Sequence, residues 1–147
     1  MLINFSVYFR DGKFLVPAVA RTDAGYYLDQ GPVAVVAGDD RHGLEMTLAE
    51  AIARGNPTVP APSRANFPVP VVLEPAGVKS WPAFEKRSIG WTVEGDAQTG
   101  FDVLVTGRSA SGAWEDAPEQ TTRVPGTAAA VASAILGHLA QRGDVRK

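Results

Sequence analysis

Seven residues between positions 94 and 119 have types that could do chemistry: Glu94, Asp96, Asp102, Trp114, Glu115, Asp116 and Glu119. Arg108 is the single base among them. Two carboxylates in a cleft, held at different pKa values, would supply the general acid and general base of a hydrolase. The pattern of the chain points elsewhere. Ile89, Trp91 and Val93 alternate with polar residues, as do Phe101, Val103 and Val105, so Glu94 and Asp102 fall on the polar side of two strands where nothing buries a carboxylate. Acids spread over a rigid sheet can steer a basic partner and fix its register. These seven residues are therefore the expected partner contact, with Trp114 as either an aromatic anchor or a core plug. The bland alternative is a set of solvated turn residues.

Other reactive types do not assemble. His42 and His138 are the only histidines and lack an H-x-E, H-x-x-H or E-x-x-H companion, whereas a zinc site needs three or four gathered ligands. No serine sits in a G-x-S-x-G elbow. The glycines from Gly95 to Gly100 open no helix and precede no Lys-Ser/Thr pair, so they read as a turn and not as a phosphate loop. Arg142-Gly143-Asp144 matches an adhesion tripeptide by chance in a polar tail. With no cysteine there is no disulfide, thiolate metal site or cysteine nucleophile. The expectation is a protein that is not an enzyme and holds no cofactor and no metal. A formal net charge of −2 argues against direct nucleic-acid binding over a broad surface. No apolar run approaches the roughly 20 residues of a membrane span, and the start of the chain lacks a secretory pattern, so a cytoplasmic location is expected.

The elements that must position these residues follow from the same alternation. Ser80 caps a short helix to Lys86, with Pro82 in its first turn. That helix delivers the chain into strands at 88–94 and 101–106, a hairpin expected at the centre of the sheet with Trp91 and Phe101 as its main core residues. In the first half, Ile3, Phe5, Val7 and Phe9 mark a strand, Asp11-Gly12 a turn, and 13–20 a second strand that Pro17 places at an edge or a bulge. Strands at 25–29 and 32–37 are expected on either side of a Gln30-Gly31 turn, the latter with both faces covered. A helix capped by Asp39 or Asp40 carries Leu44, Leu48 and Ile52 on one face and ends at Gly55-Asn56-Pro57; Thr47-x-x-Glu50 offers a later start.

Six prolines, at 57, 60, 62, 68, 70 and 75, then stiffen an ordered crossing in which Phe67, Val69, Val71, Val72 and Leu73 supply apolar surface. Val69 to Leu73 could form one short strand. Beyond the hairpin, a turn at 109–113, an extended piece at 114–116 and a strand near 120–124 lead to a Thr127-capped helix. Its Ala128, Val131, Ala132, Ile135, Leu136 and Leu139 form one stripe, and the tail from Arg142 is polar. At 147 residues the whole chain reads as a single α+β domain. Its twisted, mainly antiparallel sheet is expected to have two meander-like halves, with two longer helices and one short one. The halves are 1–55 and 78–141, joined by the crossing at 56–77.

Four stretches, SVYFRDGKFLVPAVA, RGNPTVPAPSRANFPVPVV, KSWPAFEKRSIGWTVE and GAWEDAPEQTTRVPGT, resemble those of small bacterial immunity proteins of contact-dependent growth inhibition systems. The likeness runs from Asn4 to about Leu139 and rests on turns, prolines and tryptophans. It implies a cytoplasmic antidote that binds the C-terminal toxin domain of a matching effector and blocks it. Such a toxin could be a nuclease with a basic cleft, for which an acidic sheet face is suited. The resemblance fixes no contact residues. A small-ligand-binding or scaffold domain and a carboxylate-dependent hydrolase remain the alternatives; the first needs a concave pocket with convergent polar groups.

Overall fold

The computed structural model describes residues 2–108 and 114–142, with side chains described within 2–106 and 121–141. The period-two pattern of the first residues produces β1 (Ile3–Arg10), which turns at Asp11-Gly12 into β2 (Lys13–Thr22). Both turn residues have positive φ, 52° and 78°, the twist that suits a two-residue hairpin. A third strand, β3 (Tyr27–Ala37), completes a meander and feeds α1 (Arg41–Arg54). Then come β4 (Thr58–Val59), a 3-10 turn at Arg64–Asn66, and two short helices, α2 (Leu73–Ala76) and α3 (Trp81–Glu85). A second meander of β5 (Ser88–Asp96), β6 (Gly100–Arg108) and β7 (Trp114–Val124) leads into α4 (Ala128–Arg142).

The sheet order is β3-β2-β1-β5-β6-β7, with β4 beside β2. Each half is thus a meander followed by a helix. The halves join through their first strands, which run antiparallel from the Ile3↔Gly95 pair to the Arg10↔Ser88 pair. The arrangement is an α+β domain with an approximate two-fold topology about the β1–β5 seam. β5 sits at that seam, so the expected hairpin reaches the centre of the sheet through its first strand.

One sheet face carries the main core. Phe5, Val7, Phe14, Trp91, Val93, Phe101 and Val103 pack there against Leu44, Leu48 and Ala51 of α1 and Val131, Ala132, Ile135 and Leu139 of α4. Trp91 and Phe101 are 1% and 0% exposed, the buried aromatics that the alternation implies. Both helices start at side-chain caps: Asp40 accepts from the Gly43 amide at 2.9 Å, and Thr127 from the Ala130 amide at 3.1 Å. Arg41 ties the helices together, donating to Ser133 Oγ at 2.5 Å while pairing with Glu45 at 2.7 Å. The Thr47–Glu50 alternative lies inside α1 and caps nothing.

The connector covers part of the opposite face. Val72, Leu73 and Phe84 are buried there against Tyr8 and Leu15. Ser80 accepts from the Ala83 amide at 3.3 Å, as its position before Pro82 requires. Buried Arg10 reaches toward the last turn of α3, 3.5 Å from the Phe84 carbonyl and 3.4 Å from that of Ala83, with Asp11 paired to it at 2.7 Å. A cation there meets the negative end of the backbone dipoles.

Several expectations are corrected. Gln30-Gly31 is not a turn between two strands: β3 is continuous, and Gly31 and Pro32 bulge out opposite Pro17/Ala18, joined by a cis peptide bond. Pro17 does lie at a bulge, one of the two places expected for it, in an inner strand. β3 is an outer strand, and Val35 is 50% exposed, so its apolar run is not covered on both faces. Val69 to Leu73 forms no strand; a turn there leads into α2. Phe67 and Val69 are 56% and 72% exposed instead of adding to the core. The pieces at 114–116 and 120–124 belong to one strand, β7, with a register shift opposite Leu104/Val105. The turn expected at 109–113 and the tail beyond 142 lie outside the described residues.

Asn56 has a use beyond ending α1. β1 pairs with β2 only over Tyr8–Arg10, and toward the other end the two strands splay. β4 takes the vacated edge of β2, pairing Thr58 with Arg21 and Val59 with Thr22. The Asn56 amide bridges the gap: Oδ1 accepts from the Asn4 amide at 2.8 Å, and Nδ2 donates to the Asn4 and Val19 carbonyls at 2.7 and 2.9 Å. Backbone groups that lost their ladder partners are satisfied by one side chain.

Candidate functional site

The connector meets β5 where Ser88 Oγ donates to the Phe84 carbonyl at 2.6 Å. Farther along β5 and onto β6 and β7, the same face carries Thr92, Glu94, Asp102, Leu104, Thr121 and Arg123, all half or fully exposed. Cross-strand register sorts these residues into rows. Asn4, Glu94, Asp102 and Arg123 occupy successive strands directly opposite one another, and Ser6, Thr92, Leu104 and Thr121 form the next row. Asn4 Nδ2 donates to Glu94 Oε2 at 3.2 Å, and Arg123 Nη1 lies 3.3 Å from Asp102 Oδ1. Arg123 also donates to the Thr99 carbonyl at 2.7 Å.

Glu94 and Asp102 thus share a face, as the alternation implies. Arg123 was outside the stretch singled out from the sequence. The register shift in β7 brings it across from Asp102 and makes the row mixed in charge instead of uniformly acidic. Asp96 sits apart at the hairpin tip, where one carboxylate oxygen accepts from the Gln98 amide and from the amide and hydroxyl of Thr99, at 2.6–2.9 Å. The bonds from Thr99, more than that from Gln98, hold its carboxyl below the usual range. It is a turn-closing residue first. On the β7 backbone, Trp114, Glu115 and Asp116 pair with Arg108, Gly107 and Thr106, and Glu119 lies within the register shift. The side chains of these four lie outside the described residues.

A recess that the sequence did not indicate opens on the same side of the sheet, over the first meander. It has a volume of about 310 Å³, and Ser6, Tyr8, Asp29, Phe67 and Trp81 are among the residues lining it. Tyr8 Oη donates to Asp29 Oδ2 at 2.7 Å. Tyr8 and Trp81 stand nearly perpendicular, with ring centroids 6.2 Å apart and planes at 80°. Burial, then the neighbouring Asp29 charge, pushes the Tyr8 phenol well above its ordinary value, so it stays protonated and serves as a donor. Burial also raises the Asp29 carboxyl, against the opposing hydrogen bonds of Tyr8 and Ser6. No sequence motif joins residues so far apart, although the Asp29-Gln30-Gly31-Pro32 run hinted at an irregular backbone nearby.

Neither histidine belongs to either place. His42 is exposed on α1, and His138 packs edge-on against Trp91 with ring centroids 6.0 Å apart. Among the described residues no three His, Asp or Glu side chains gather as a metal site. No helix among them is long and apolar enough to cross a membrane.

No family model matches the chain. No curated protein matches it either. Among solved structures it is similar to NMB0488, a protein of unknown function from Neisseria meningitidis, with a TM-score of 0.65 at 11% identity. The alignment spans 96% of this chain and 95% of that one. The likeness is one of fold. With 96% of this chain covered, it extends over both meanders and both long helices. The described residues thus present a polar face of mixed charge and an aromatic recess with one acid.

Proposed function

We propose that this chain is a cytoplasmic immunity protein that binds the toxic C-terminal domain of a cognate contact-dependent growth inhibition effector and neutralises it by covering its surface, without catalysis. The observation that carries the reading is the Asn4–Glu94–Asp102–Arg123 row on the uncovered polar face of β1, β5, β6 and β7. A row of fixed charges on paired strands costs little ordering entropy on binding, because the ladder already holds the backbone in place. Two acceptors at the centre of the row, flanked by donor groups, would fix the register of one partner and oppose others.

The resemblance to immunity proteins supplies the partner class, and the sheet supplies a surface of the right kind. A standard interface buries about 1,200–2,000 Å² in total, roughly half from each side. Glu94 and Asp102 at its centre suit a toxin with a basic cleft, such as a nuclease, in a one-to-one complex. β7 borders this face, which puts Trp114, Glu115, Asp116 and Glu119 on the strand that would extend the contact. Co-expression with the product of the adjacent upstream reading frame, followed by pull-down and a growth-protection assay, tests the reading. A stable complex and protected growth are expected; a chain that neither binds that product nor protects the cell overturns it.

A further inference from the structure

The recess over the first meander adjoins the polar face at Ser6 but has a different character. Among the described residues its lining includes the acid Asp29 and no lysine, arginine or histidine. Tyr8, Phe67 and Trp81 bring aromatic rings to the same lining, while Tyr27, also at its edge, packs against the main core. Aromatic faces carry partial negative charge, so rings beside a carboxylate suit a positively charged guest. We propose that this recess is a binding site for a small organic cation, an alkylammonium or guanidinium group on a short apolar body. The proposal does not rest on the immunity reading.

Three observations favour this ligand over others. An anion would meet the Asp29 carboxylate, which repels it. A neutral apolar ligand would strip water from the carboxylate and return nothing to it, a penalty of kilocalories for a charged group. A cation offsets that penalty through the ion pair and gains ring contacts, which strengthen when desolvated. The hydroxyl of Tyr8 holds Asp29 in place from one side at 2.7 Å, leaving a positioned acceptor and not a free-swinging one. The volume, about 310 Å³, lies at the lower end of the range of small-ligand pockets.

The rim fits the same occupant. Phe67 and Val69 are the exposed apolar residues there, flanked by Pro68 and Pro70, which hold the backbone extended without a ligand. An apolar body on the cation would cover them. Two rings at near right angles, Tyr8 and Trp81, form the corner into which the charged head would fit.

Titration calorimetry and amide NMR with choline and butylguanidinium as cations, and 3,3-dimethylbutan-1-ol as the neutral isostere of choline, test the site. At least one cation should bind, with shifts at Tyr27, Leu28, Asp29 and Phe67, and the alcohol should bind about tenfold more weakly or not at all. Asp29→Asn should lose about tenfold in cation affinity while its unfolding midpoint is kept or raised. Should that variant fail to fold, Phe67→Ser at the exposed rim gives a second reading, with a several-fold loss expected. Equal binding of the alcohol, shifts that map elsewhere, or no cation binding in the full titration overturns the proposal.

Discussion

Glu94 stands directly across the β5–β6 ladder from Asp102, and each of these like charges is met by an outer neighbour: Asn4 donates to Glu94, and Arg123 pairs with Asp102. The row is stable as a unit because its ends relieve its middle. Removing the cation should expose the repulsion. Arg123→Ala is expected to lower unfolding stability by about 0.5–1 kcal/mol at low salt, a modest effect because both partners are partly solvated. Added salt should shrink the difference; urea unfolding at two ionic strengths checks it.

Asn56 makes three bonds to the backbone between the splayed ends of β1 and β2. Asn56→Ala strands those groups in a partly buried place and is expected to cost about 2–3 kcal/mol. Asn56→Asp separates the contributions, since a carboxylate can accept from the Asn4 amide but cannot donate to the Asn4 and Val19 carbonyls. It should fall nearer the alanine variant than the parent, with faster amide exchange at Asn4 in both.

Tyr8 and Asp29 make opposite predictions. Tyr8→Phe removes the donor and leaves a desolvated carboxylate, an expected loss of about 1–3 kcal/mol. Asp29 has a raised carboxyl in the folded protein, so the folded state holds its proton to higher pH than the unfolded chain does. The sign follows: this group takes nothing from stability below its unfolded value near 3.9, and a penalty grows as pH rises through the folded value. Asp29→Asn should therefore match or exceed the parent in stability at pH 7. A chemical denaturation series from pH 4 to pH 8 on both proteins should show the gap opening toward the alkaline end.

The β5–β6 hairpin depends on its tip. A methyl group on Gly95, at φ 148°, would strike the Gly100 carbonyl and the Phe101 backbone. Gly95→Ala is expected to destabilise by about 1–3 kcal/mol. Asp96→Ala should also lower the melting temperature by removing the bonds to Gln98 and Thr99. Its carboxyl is lowered in the fold, so this contribution is present above the unfolded value and fades as pH falls through the folded one. The two melting curves should converge in acid.

Local periodicity made much of this fold legible. The Ile3–Phe9 and Ile89–Phe101 alternations, the Asp40, Ser80 and Thr127 caps, and the α4 stripe each follow from neighbours a few residues apart. What was hidden depends on partners far along the chain. Gln30-Gly31 has turn composition, yet pairing with β2 keeps β3 continuous and absorbs the extra residues as a bulge. Phe67 and Val69 look like core residues by type, but the prolines around them hold the chain at the rim of the recess. On the candidate face, the shared side of Glu94 and Asp102 followed from alternation; Arg123 did not, because the shift in β7 register decides its place. Tyr8 and Asp29 are 21 residues apart, and no spacing rule joins them.

The claim that this chain acts by presenting the polar face of β5 and β6 to a toxin is tested most directly by growth protection. Cells producing the adjacent effector's C-terminal domain would carry either the parent chain or a Glu94→Lys/Asp102→Lys variant shown by circular dichroism to be folded. The account predicts protection by the parent and its loss with the variant, alongside weaker toxin affinity and an altered salt dependence. Growth arrest with the parent, or equal protection by both, would contradict it.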